Sequence, residues 1–178
     1  MRRGLILLLA LMPLTAQLAA PSRGEIDAVE RGFDQKLQRY SVEAPIEVLG
    51  LTRGIYLTGY GVAFTTEVSL VPTPGISPFR PAFTKDDIAR VKAAKAKRLP
   101  AIRGLMRDAM VSSAGSMDRL PMDEQVVFGV FFFYNAWEDS SGLPHCVTMQ
   151  ARRRALLDVA TNRQPRTALD SIIQVREE

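Results

Sequence analysis

Residues 137–146 hold the single tryptophan, the single histidine and the single cysteine of this 178-residue chain, interleaved with two carboxylates and two serines. The chemistry such a set could perform is nucleophilic. Ser140 or Ser141 could attack, His145 could take the proton, and Asp139 or Glu138 could orient the imidazole. That arrangement would make the protein a small exported hydrolase working from this loop. The spacing argues against it, because the glycine-x-serine-x-glycine elbow is missing and Ser140-Ser141-Gly142 after two acids also reads as a solvated turn. His145 and Cys146 are neighbours on a predicted strand, so their side chains point to opposite faces and cannot pair as thiolate and imidazole. Cys146 then reads as a small core residue and His145 as a hydrogen-bonded surface or edge residue. One histidine with one cysteine offers little to zinc, and Glu138 and Asp139 lack the spacing of a calcium loop, so no metal or cofactor is expected. What remains is recognition. A loop on a rigid strand is where binding groups are displayed, and Trp137, Glu138, Asp139 and His145 are the ligand-binding candidates.

Two further sets bear on recognition. Tyr56 and Tyr60 could join Trp137 in an aromatic patch if their loops fall at one end of a sheet. Gly59-Tyr60-Gly61 lacks the third glycine and the lysine of phosphate-binding loops and precedes a strand, so it reads as a hairpin turn. Lys85, Arg90, Lys92, Lys95, Lys97, Arg98, Arg103 and Arg107 make one side of a long helix positive. This reads either as a solvated face or as a surface for an acidic envelope partner or an anionic surface, with Lys92, Lys95 and Arg98 as the partner-binding candidates. Arg152, Arg153 and Arg154 would add to it from a second helix.

The element that must position the loop is the run Val126-Val127-Phe128-Gly129-Val130-Phe131-Phe132-Phe133-Tyr134. Its length and its β-branched and aromatic content predict a central strand buried on both faces. Before it, Ser22-Arg23-Gly24-Glu25 has capping-box spacing, and Ile26, Val29, Phe33, Leu37 and Tyr40 recur at helical intervals, predicting a helix to about residue 40. An extended stretch follows from residue 46, then a hairpin whose second arm alternates Val62, Phe64, Thr66, Val68 and Leu70 with Ala63, Thr65, Glu67 and Ser69. Residues 72–81 carry four prolines and predict an irregular connector. Thr84 caps the long helix, in which Pro100 predicts a kink or a junction of two helices, fading by 112–115. After the central strand come the loop, a strand over 145–150, a short helix over 151–160, and an end that has helical spacing at Leu169, Ile172 and Ile173 but reads rather as an edge strand.

Residues 1–20 combine Arg2 and Arg3, an apolar stretch and the small residues Ala16, Ala19 and Ala20, which describe a secretory signal peptide. Its removal takes the net charge from +4 to +2, too mild to argue for nucleic acid. Residues 21–178 suffice for one core, which a lone cysteine cannot staple with an intramolecular disulfide. The expectation is a compact single α+β domain: an antiparallel or mixed sheet, with a long kinked helix and the N-terminal helix packed on it. The protein reads as periplasmic or secreted, without a transmembrane span after signal removal. Its function reads as non-enzymatic binding of an envelope partner or a ligand, with the hydrolase and an aromatic small-molecule pocket as alternatives.

Overall fold

A computed structural model describes residues 20–41, 45–72 and 83–178. Apart from Ala20, the segment read as a signal peptide lies outside the described residues, as does the proline-rich connector apart from Pro72. The expected N-terminal cap is present: the Ser22 hydroxyl accepts from the Glu25 amide, and the Glu25 carboxylate accepts from the Ser22 amide. It opens α1 (Arg23–Gln38), whose Ile26, Val29, Phe33 and Leu37 are buried. The extended stretch and the first hairpin arm form one strand, β1 (Glu47–Leu57), interrupted by register shifts around Gly50, and β2 (Gly61–Ser69) returns antiparallel to it. Gly61 is needed at the turn. Its φ is +141° and a Cβ there would lie 2.0 Å from the Gln125 carbonyl oxygen.

Thr84 and Asp87 close a second capping box on α2 (Lys85–Ser116), which runs unbroken through Pro100. Buried Leu99, Ile102, Met106 and Met110 hold it there against the lost hydrogen bond. Because α2 carries the chain back along the sheet, β3 (Gln125–Phe132) lies parallel to β2. The remaining strands, β4 (Cys146–Arg152) and β5 (Gln174–Glu177), add antiparallel, giving a mixed sheet in the order β1-β2-β3-β4-β5. Between them lie α3 (Arg153–Ala160), a 3-10 turn and the one-turn α4 (Leu169–Ile172), so the ambiguous C-terminus is helix and then strand. The fold is a single α+β domain.

The helices share one face of the sheet. Phe128 is the hub, edge-on to Phe33 of α1 at 5.1 Å and stacked on Phe64 of β2 at 4.9 Å. The exposed edge of β1 is closed by α1, whose Asp34 accepts from the Thr52 amide and hydroxyl and whose Glu30 accepts from the Gly54 amide. Two expectations are corrected here. The central strand is buried on one face only, since Phe131 and Phe133 stand 49% and 40% exposed. Cys146 is half-buried on that same outer face, paired with Phe131, and is no core residue. Periodicity cannot reveal this, because an apolar outer row looks the same in sequence whether or not a second layer covers it.

Candidate functional site

The loop that follows β3 is built from short turns. Glu138 N–H donates to Asn135 O and Leu143 N–H to Ser140 O, while Phe132 N–H donates to His145 O and closes the base. This brings the loop against the N-terminal half of α2, so that two sets of residues that sequence reasoning kept apart meet each other. Lys95, expected on the exposed side of the helix, is 1% exposed, and its ammonium pairs with a Glu138 carboxylate whose side chain is 2% exposed. The ammonium also donates to Phe133 O at 3.0 Å and lies 4.6 Å from the centre of the Tyr134 ring. The second Glu138 oxygen accepts from Asn135 Nδ2 at 2.8 Å. A buried ion pair persists only when its remaining donors and acceptors are satisfied in this way.

A second, exposed pair flanks the first. Lys92 Nζ lies 2.8 Å from Asp139 and 2.6 Å from Ser141 Oγ, and hydrogen bonds to the Asp139 carboxylate, from Lys92 first and then from Ser141, whose amide donates at 2.9 Å, hold it well below the usual carboxylate range. Trp137 stacks on Phe83 with ring centres 3.8 Å apart. Tyr134 donates to Pro144 O and meets the His145 ring edge-on at 5.1 Å. Burial, with the Glu138 charge second, pushes the Tyr134 phenol up to about 12. Among the described residues, no hydrogen bond joins the exposed His145 side chain to Ser140 or Ser141. The arrangement is a clamp between loop and helix, its charges answered from within. Beside it an open groove of about 450 Å3 runs along α2, lined by Ile88, Ala93, Ala96, Lys92 and Asp139 among others.

Other cations of the basic helix side are engaged as well, though among the described residues exposed Lys85 and Lys97 make no ion pair. Arg98 is half-buried and donates to the carbonyl oxygens of Pro45 and Leu70. Arg103 pairs with Glu177 and Arg107 with Asp170. Lys92, Lys95 and Arg98 are therefore not a free patch: sequence places cations on one side of a helix, but it does not show carboxylates and carbonyls arriving from distant segments. Of the arginine triplet, Arg153 is buried against the carbonyls of Ala114 and Leu120, exposed Arg154 pairs with Asp123, and exposed Arg152 makes no ion pair among the described residues.

Tyr56 and Tyr60 do not join Trp137. The hairpin turn sits where Gly61 pairs with Gln125, at the start of β3, while the Trp137 loop follows its end, some 20 Å away at ~3.3 Å per residue. There the Tyr56 hydroxyl and the Gly59 amide donate to one oxygen of buried Glu124, and burial with that neighbour raises the Tyr56 phenol above its ordinary value. Tyr60 donates to Gln150 Oε1 at 3.4 Å.

The surface that sequence reasoning missed is the outer face of the sheet. The strand register lays it out in rows: Ile55, Ala63, Val127, Gln150 and Gln174; then Arg53, Thr65, Gly129, Thr148 and Arg176; then Glu67, Phe131 and Cys146. Ile55 is 59% exposed and Leu57 45%. Half-exposed apolar side chains thus stand on both sides of the middle row, Ile55 and Leu57 toward the start of β3 and Phe131 and Phe133 toward its end, as on an interaction surface, and a sheet with a parallel pair at its centre is ordinarily covered on both faces. The signal was in the apolar run of β3, which has more apolar positions than one core face can use. No family model, no curated protein and no solved structure matches this chain. Among the described residues no helix is long and apolar enough to cross a membrane, and no group of three or more histidine, cysteine or carboxylate side chains is placed to hold a metal ion.

Proposed function

We propose that this is an exported envelope protein that works as a non-enzymatic binding module, and that it binds through the uncovered face of its sheet. The observation that carries the reading is the half-exposed set Ile55, Leu57, Phe131 and Phe133 on a face that, among the described residues, no helix covers. Fully burying a large apolar side chain is worth about 1.5–3 kcal/mol, so completing the burial of these four supplies about 4 kcal/mol. Association costs at least about that much, so the polar groups around them must contribute too. The signal-like N-terminus supports an envelope or secreted location, and the closed clamp supports binding over catalysis.

The test is site-directed photocrosslinking in cells, with a photoreactive residue at Thr65 or Thr148 on the face and at Ala93 or Gly104 on α2. Adducts from the face positions are expected. Adducts from the helix positions alone would move the binding surface to α2 and defeat the proposal. One contact favours the hydrolase alternative, the 2.6 Å approach of Lys92 Nζ to Ser141 Oγ. The Lys92 ammonium is also held by Asp139, so it donates to Ser141 and does not accept its proton. Labelling by a fluorophosphonate that disappears in Ser141→Ala would establish that alternative instead.

A further inference from the structure

The charges of the uncovered face say what kind of partner fits it. The central row runs Arg53, Thr65, Gly129, Thr148, Arg176, with an arginine on each outer strand and small residues between. Gly129 leaves a recess between Val127 and Phe131, its same-face neighbours on β3. The two arginines stand four strand spacings apart, about 19 Å. Arg53 is largely exposed, with only a 3.9 Å approach to Glu30, and among the described residues Arg176 and Arg152 have no ion pair. The carboxylates of the face, Glu67, Glu47 and Glu178, lie toward the end of β3, in the row of Phe131 and Cys146 and beyond it.

Resting on the binding role proposed above, we propose that this face docks an apolar segment of another protein flanked on both sides by carboxylates, which meet Arg53 and Arg176. The small central row accepts the apolar part, and the arginines at its two ends select the acidic flanks. A second copy of this chain fits less well. Two such faces stacked with their strands aligned, related by a twofold axis that runs along that row or across it, set arginine against arginine. An anionic bilayer fits less well too, because Glu67 and Glu47 would be pressed onto lipid phosphates together with Phe131.

The test uses two synthetic peptides that share a leucine- and alanine-rich centre, one flanked by glutamates and one by lysines, with binding read by fluorescence anisotropy at low salt. Cys146, the only cysteine, lies on the face and reports occupancy through its rate of alkylation. The glutamate-flanked peptide is expected to bind at least tenfold tighter than the lysine-flanked one, to slow Cys146 alkylation about fivefold, and to weaken as salt is added. Arg176→Glu should remove most of that preference, and Arg53→Glu/Arg176→Glu should reverse it; the single variant keeps the test valid if Arg53 also steadies the β1 edge.

Phe131→Asp separates the two levels of the argument, since it should abolish binding of either peptide. Equal binding of both peptides, lost in Phe131→Asp, would overturn the acidic-flank rule and leave the binding face standing. Capture by phosphatidylglycerol vesicles in preference to the peptides would replace the protein segment with a lipid surface. A concentration-dependent dimer with Cys146 protected would replace it with a second copy. Cys146 alkylation that no probe slows would overturn both the partner and the face.

Discussion

Replacing Lys95 by methionine tests whether the clamp is as closed as its geometry indicates. The ammonium is 1% exposed and its partner carboxylate side chain 2%, so water cannot compensate the loss. Without Lys95, Glu138 retains only the Asn135 amide, and Phe133 O loses its side-chain donor. Removing one member of a buried ion pair costs about 3–5 kcal/mol. A chain of this size gains about 5–15 kcal/mol from folding, and each kcal/mol lost moves Tm by about 2–4 °C. Lys95→Met should therefore lower Tm by about 6–20 °C. The double variant Lys95→Met/Glu138→Leu removes both charges and should recover to within about 2 kcal/mol of the parent, the difference being the hydrogen bonds that Phe133 O and Asn135 Nδ2 made to the pair. Urea unfolding followed by circular dichroism and by Trp137 emission measures both, and coincidence of the two signals shows whether loop and core unfold together. If Lys95→Met cost less than about 1 kcal/mol, or if the double variant were no better than the single one, the argument from a buried pair would be refuted.

Three further predictions follow from other contacts. Gly61→Ala should destabilise by about 3 kcal/mol or more, because the turn needs φ +141° and the new Cβ would meet Gln125 O; a Tm unchanged within a degree would count against the register. The lowered Asp139 carboxyl contributes stability that is present above the ordinary aspartate value of about 4 and lost only as pH falls through the lower folded-state value, so in Lys92→Met its titration by NMR should move up toward the ordinary value. An Asp139 titration indifferent to Lys92 would show that the pair does not form in solution. The exported reading predicts that the mature protein lacks about the first 20 residues, which N-terminal sequencing of protein from fractionated cells decides; protein retaining Met1 in the cytosol would end that reading.

Local order in this chain was legible because its causes are local. Ser22 with Glu25, and Thr84 with Asp87, announce helix starts through hydrogen bonds that span three residues. Gly59-Tyr60-Gly61 announces a hairpin because the turn needs glycine, and the alternation from Val62 to Leu70 tells the core side of β2 from the wet side. The candidate loop was legible as a collection of reactive residue types, and so was the positive side of α2. What those residues do was decided by tertiary structure. Glu138 and Lys95 are 43 positions apart, and nothing in helical or strand period tells one of the other; only the return of β3 alongside α2 closes the distance and turns a ligand candidate and a partner candidate into each other's counter-ion. The outer face was hidden for the complementary reason. A side chain that points away from the core follows the same alternation whether a second layer covers it or solvent does, so the exposure of Ile55, Phe131 and Cys146 depended on where the helices packed, and all three main helices packed on the other side.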